Sequence, residues 1–481
     1  MLPSIPNDRR KLVPTLVATF EANLTSPLLG DSGITNGDVA AIEDLGVFGD
    51  LRYERLWGAV HGVVAADEDV VGLDRLPSPY EYTSEFEILR PVDRDRRSAV
   101  IVDAENRGGP SMLGAVTGVG LRGTPPSATT YPAGMGEGCL FDTGLSYARV
   151  QWQTGHCASV PADAQGVGLV IVRDFGRYLA DEFDVRIISG ASQSAWFVNT
   201  LIAEGFNVDP RDGEGVYTGA LSYLSAGNWL ALNRLADDGA PQYPYVRPAR
   251  APLTAAEMLS RPESDPFFVD ITSYTEYYRL RGSVFASAPL PARARHYDVP
   301  APHGPGSPEF ASFVFATAGC NGGVEVPLNP IQSGAYARGI LVGLVADPDA
   351  LPPSQWFELG PAPEPSEYFN ALPGGELQVP RVDADAQPIG GVRFPDVELP
   401  LGRAEPVALP PCGASSIDDG CGNFGGWQPF SAAELAQRYG SVDDYVRRYA
   451  EILDGFVAEG FVLPRDRDGV IETARTQFVR A

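Results

Sequence analysis

A serine flanked by small residues two positions away on either side occurs at Ser192, in Gly190-Ala191-Ser192-Gln193-Ser194. A serine hydroxyl is a weak nucleophile until a base takes its proton and dipoles receive the charge that develops on the attacked carbonyl oxygen. One solution sets the serine on a strained turn between a strand and a helix. The flanks fit that solution: residues 185–189 (VRIIS) form a short apolar run, and residues 195–204 (AWFVNTLIAE) read as a helix closed by Gly205. The second small residue is Ser194, so the strict G-x-S-x-G string is not met. Ser192 is the predicted nucleophile.

Scarcity constrains its base, because the chain holds four histidines: His61, His156, His296 and His303. On a turn of this kind the partners follow in the order serine, acid, histidine, with the histidine in the loop after the last strand. His61 and His156 precede Ser192 and fail on order. His296 lies inside the predicted strand 294–299, whereas His303 follows it in Pro300-Ala301-Pro302-His303-Gly304-Pro305-Gly306. His303 is the predicted base. The acid is expected after the preceding strand, residues 267–271. Glu276, on a predicted loop over 272–278, is preferred, with Asp270 inside the strand as the alternative.

Negative charge on the substrate oxygen needs two donors. Gln193 N–H supplies one, and Arg107 or Gly108 in Asn106-Arg107-Gly108-Gly109 supplies the other, since glycines let backbone approach a carbonyl closely. A simple tight turn is the competing reading of that glycine pair. Gly118-Val119-Gly120-Leu121-Arg122-Gly123 matches a dinucleotide fingerprint, but Thr124-Pro125-Pro126 stands where a helix must open. No cofactor is expected, and no spacing of metal ligands is present. Trp196, Tyr223 and Trp229 are candidates to line a pocket, with core packing as the alternative for each.

Strand-like runs at 51–64, 80–89, 98–104, 145–152, 185–189, 216–224, 267–271 and 294–299 position these residues, with helical spacing over 168–183. The first pair reads as antiparallel and the rest as joined by crossovers. That predicts an α/β fold, a mostly parallel eight-stranded sheet with helices on both faces. Residues 1–95 are read as an N-terminal segment carrying the first antiparallel strands, 96–343 as the catalytic core, and 344–481 as a turn-rich, helical extension packing on it. In that extension 432–439 and 442–459 read as amphipathic helices, the first with Ser431 and Glu434 as a capping box.

With these motifs assembled, the chain resembles the bacterial family of alpha/beta hydrolase domain-containing proteins. The likeness rests on Pro79-Tyr80-Glu81-Tyr82 leading to Arg90-Pro91-Val92-Asp93, on Asn106-Arg107-Gly108, and on the G-x-S-Q-S elbow at 190–194. Ser273-Tyr274-Thr275-Glu276-Tyr277, Arg295-His296-Tyr297-Asp298-Val299 before His303, and Pro380-Arg381-Val382-Asp383-Ala384-Asp385 continue it, as do Pro400-Leu401-Gly402 and Arg438-Tyr439-Gly440-Ser441. The resemblance implies an α/β-hydrolase fold and ester hydrolysis by Ser192, Glu276 and His303 through an acyl-enzyme. Ala195 stands where such families often carry glycine, and the region between Trp152 and the helix before Val185 looks shortened. An acyltransferase using the same triad and a non-catalytic scaffold are the alternatives; a carboxylate nucleophile is excluded by the serine at 192.

Composition narrows the partners. The chain has 481 residues, 44% of them apolar and a formal net charge of −26, with Lys11 its single lysine. Such acidity repels phosphate backbones and anionic lipid, so neither nucleic acid nor a membrane is expected as partner; the small-molecule ester expected as substrate is what the resemblance implies. No run reaches the ~18–20 apolar residues of a membrane span. Met1-Leu2-Pro3-Ser4-Ile5-Pro6 shows no signal-peptide pattern, which leaves the compartment open between cytoplasm and export as a processed form. Of five cysteines, Cys412 and Cys421 bracket a loop of the kind a disulfide staples, and Cys139 with Cys157 form a second candidate pair, leaving Cys320 over. Reduced thiols throughout are the alternative.

Overall fold

Largely alternating apolar residues up to Pro91 and continuous apolar runs beyond it dictate two kinds of strand. A computed structural model describes residues 31–97, 99–112, 139–236, 252–303, 331, 333–362, 378–405 and 426–480. The first kind makes an antiparallel meander, β1 (Gly33–Phe48), β2 (Leu51–Val64) and β3 (Tyr80–Pro91). The second kind is buried on both faces: β4 (Val100–Ala104), β5 (Ser146–Val150), β6 (Arg186–Ala191), β7 (Gly219–Tyr223), β8 (Phe267–Ser273) and β9 (Ala294–Val299). Together they form one nine-stranded sheet in the order β1-β2-β3-β5-β4-β6-β7-β8-β9, parallel from β5 onward.

The sheet is therefore mostly parallel, with one strand more than the eight read from sequence. The addition is β1, whose pairing with β2 shifts register between Ile34 and Asn36, Val39 and Ala41, and Asp44 and Gly46. Each shift breaks the two-residue period by which a strand is recognised.

Period two also divides the parallel strands between two cores. Ile188, Ala220 and Phe268 face helices α1 (Val167–Leu179) and α2 (Gln193–Ala203). Ile187, Leu221 and Val269 face the other way, into a cluster that includes Leu341, Phe394, Tyr449 and Leu453. Residues after 344 thus share one apolar cluster with the sheet. The capping box of Ser431 and Glu434 forms at the start of helix Ala432–Tyr439.

The chain steps outward from β4 to β5, then returns to place β6 on the other side of β4. That reversal opens a crevice at the carboxyl ends of β4 and β6, where open sheets of this kind bind ligands. Cys412, Cys421, Cys320 and residues 118–123 lie outside the described residues. Cys157 is a free, buried thiol, so it forms no disulfide with Cys139; its Sγ lies 3.8 Å from the Thr83 carbonyl oxygen.

Candidate active site

At the end of β6 the chain turns into α2 through Ser192, whose φ of 59° and ψ of −123° are unusual for a residue with a side chain. Holding such a conformation costs about 1–3 kcal/mol and persists only where the surroundings enforce it. Gly190 explains how the turn closes. A Cβ built there would lie 2.4 Å from the carbonyl carbon and oxygen of Ser194 and 2.8 Å from Ala195 N. The Ser192 N–H is fixed by the Tyr223 carbonyl of β7 at 2.9 Å.

His303 arrives from the loop after β9. Its Nε2 lies 2.8 Å from Ser192 Oγ, and its Nδ1 lies 2.7 Å from Glu276 Oε1. The backbone N–H of His303 donates to Thr275 Oγ1 at 2.9 Å. Thus the structure brings Ser192, His303 and Glu276 into one hydrogen-bonded line. Burial raises the pKa of Glu276, and the His303 ring and the Ser273 N–H oppose that shift.

Glu276 stands on a helix and not on the expected loop. Helix α3 (Tyr274–Arg279) begins directly after β8, with Ser273 as its N-cap and Glu276 as the reciprocal partner of a capping box. Asp270 stays within β8, fully buried, as read. It accepts from Ser225 Oγ at 2.7 Å and Thr272 Oγ1 at 2.5 Å, and it faces His296 Nδ1 at 3.0 Å. His296 is wedged between Asp270 and Asp298, its Nε2 2.8 Å from Asp298 Oδ1, with its ring stacked on Trp356. Burial works against its positive charge, yet Asp298 and Asp270 outweigh it and raise its pKa to about 9. Asp298 also accepts from Tyr277 Oη, tying β9 to α3.

Beyond β4, Arg107 (φ 54°) and Gly108 (φ 72°) make a left-handed turn closed by Asn106 N–H to the Gly109 carbonyl at 2.8 Å. Asn106 Nδ2 donates to the Ala191 carbonyl at 3.1 Å, which joins this turn to the elbow. The Arg107 N–H is engaged by Gln153 Oε1 at 3.1 Å. The Arg107 N–H thus already has an acceptor within the protein. Glycine is required at position 108: a Cβ would lie 2.4 Å from His156 Nδ1, and φ is positive. His156, otherwise exposed, thus stands beside the turn, while His61 pairs with Asp38 and Thr83 on the antiparallel strands.

Tyr223 is buried in the core and its hydroxyl meets Ser333 Oγ at 3.0 Å. Trp196 and Trp229 are half-buried. Sequence reasoning missed Thr275, Asp103 and Ser111. Thr275 alone carried a signal, as part of the Thr275-Glu276-Tyr277 run.

The family model described as alpha/beta hydrolase domain matches residues 167–472, a span that holds Ser192, Glu276 and His303. Similar solved structures include a glucuronoyl esterase from Solibacter usitatus, at 10% identity and a TM-score of 0.30, covering 55% of this chain and 80% of that one. An alpha-beta serine hydrolase homologue from Coxiella burnetii is 14% identical, with a TM-score of 0.24 over 45% and 82% of the two chains. Esterase Est22 is 16% identical, with a TM-score of 0.24 over 46% and 69%. No curated protein matches the sequence. From the extent of the family match, the chain belongs to the alpha/beta hydrolase domain family.

Proposed function

We propose that this chain is a serine esterase, hydrolysing small carboxylic esters through an acyl-enzyme on Ser192. One observation carries the reading: the unbroken line from Ser192 Oγ through His303, 2.8 Å at Nε2 and 2.7 Å at Nδ1, to Glu276. With Nδ1–H donated to the carboxylate, Nε2 is left as the base that faces the hydroxyl.

Ser192 Oγ attacks the ester carbonyl carbon as its proton passes to His303 Nε2. The carbonyl oxygen takes the electron pair and is received by the N–H groups of Gln193 and Gly108. Collapse expels the alcohol, which leaves with the proton from His303, and the acyl group stays on Ser192. Water then repeats the attack, giving up its proton to His303; collapse breaks the bond to Ser192 Oγ, which takes that proton back as the acid is released. Glu276 keeps the imidazole in the required tautomer and offsets the charge it gains at each step.

A panel of p-nitrophenyl esters of graded chain length tests this, followed by intact mass during turnover. The expected result is release of p-nitrophenol, a transient mass increase equal to the acyl group, and loss of both in Ser192→Ala. Full turnover by Ser192→Ala overturns the reading. Transfer of the acyl group to an added alcohol with no hydrolysis reassigns the same residues to acyl transfer.

A further inference from the structure

The elbow departs from the glycine-only pattern at Ser194, and that serine is completely buried. Its Oγ lies 2.9 Å from Ala191 N, 2.9 Å from the Ala191 carbonyl oxygen and 2.9 Å from Ser111 Oγ. Ser111 Oγ donates to Asp103 Oδ1 at 2.6 Å and also receives the Ala191 N–H at 3.3 Å. The Asp103 carboxylate further accepts from Ser111 N–H, Met112 N–H and Tyr147 Oη, each at 2.8 Å.

Counting protons gives this network a direction. Each serine hydroxyl has one proton to donate. Ser111 commits its own to the carboxylate, which can only accept when ionised. The lone pairs of Ser111 are then open to the Ser194 proton, and those of Ser194 to the Ala191 N–H. The Ala191 carbonyl is already served by Asn106 Nδ2 at 3.1 Å. The polarity runs without conflict from Ala191 N–H through Ser194 and Ser111 to Asp103. Ala191, the residue before the nucleophile, is thereby held at both its N–H and its C=O. Asn106 and Ser111 do part of that holding from the segment that carries Gly108.

We propose that Ser194 and Ser111 are positioning residues that fix the elbow against the Asn106–Gly109 turn, setting the distance between the Gln193 and Gly108 donors. The inference rests on the serine-esterase reading and gives the missing glycine at 194 a task. Donors stabilise a developing oxyanion only when preset at ~2.7–3.1 Å from where it will form. A residue without a hydroxyl at 194 leaves the Ala191 N–H to Ser111 alone, at the longer distance. The ground-state ester loses little by that loosening, whereas the tetrahedral state loses most.

A trifluoromethyl ketone reads the tetrahedral state directly. Ser192 Oγ bonds to its carbonyl carbon, the carbonyl pair becomes an alkoxide in the oxyanion site, and the serine proton moves to His303. Ser194→Ala and Ser111→Ala are each expected to lower kcat on p-nitrophenyl acetate about tenfold and to raise the ketone inhibition constant equally, with KM within about twofold. The double variant falls little below the weaker single, as members of one chain of hydrogen bonds should. Ser111→Thr, which keeps the hydroxyl at a half-buried position, recovers most of the loss. Ser111→Ala also serves as the test if Ser194→Ala does not fold. Wild-type kcat and ketone affinity in a folded variant overturn the inference, as does a loss that appears equally in KM and adds in the double variant. A wild-type protein that neither hydrolyses the ester nor binds the ketone overturns the esterase reading, and this inference with it.

Discussion

The two oxygens of Glu276 have different partners: Oε1 meets His303 Nδ1 at 2.7 Å, and Oε2 accepts the Ser273 N–H at 2.6 Å. Glu276→Gln separates these roles. The amide oxygen can keep the Ser273 cap, while the amide N–H turns to His303 Nδ1 and forces the proton to the wrong nitrogen. We expect kcat to fall on the order of 10³–10⁴-fold, with KM and melting temperature near wild type. Asp270→Asn is expected to do the reverse, keeping kcat within about tenfold and lowering the melting temperature, because it weakens the buried contact with His296. A crippled Asp270→Asn beside an active Glu276→Gln, measured at matched folded fraction, contradicts the assignment. At this scale the sequence was readable where types are scarce or ordered: one elbow, four histidines, and one histidine in the right loop. The Thr275 hydroxyl under the His303 N–H and the Asp103 carboxylate under Ser111 exist only as tertiary contacts, so no spacing could announce their roles.

Between elements, the strand-to-helix turn is the part that tolerates least. Gly190→Ala places a methyl group 2.4 Å from backbone that cannot withdraw without moving Ser192. The expected outcome is a kcat/KM lower by about 10²-fold or more, with a reduced melting temperature, since a misplacement of about 1 Å suffices for such a loss. Unchanged kinetics from Gly190→Ala contradict the geometry of the elbow. The parallel strands themselves and the strand-turn-helix around Ser192 were legible, because buried parallel strands read as apolar runs. Helix α3 was not, because its six residues make less than two turns and cannot display a 3.6-residue period. Its one local sign was Ser273 three residues before Glu276, the spacing of a capping box. Strand β1 was hidden by its register shifts.

Across the whole molecule, the C-terminal portion joins the catalytic sheet through one buried cluster in which a carboxyl group is embedded. Asp396, within the helix Pro395–Glu398, is buried and accepts from Tyr449 Oη at 2.9 Å. Burial raises its pKa from 3.8 to about 7, with the Tyr449 bond opposing the shift. A folded-state pKa above the unfolded one means that the group favours folding most below pH ~4 and progressively less as pH rises to about 7. Asp396→Asn cannot ionise and can still accept from Tyr449. Its melting temperature is therefore expected to match wild type near pH 4 and to exceed it by a few degrees above pH 7. A gap independent of pH contradicts this. For the molecule as a catalyst, the most direct measurement is the site at which a fluorophosphonate attaches. One adduct is expected, mapped to the peptide containing Ser192 and formed at least ~10³-fold more slowly in His303→Ala. An adduct on Ser194, or none on protein that hydrolyses p-nitrophenyl acetate, contradicts that expectation.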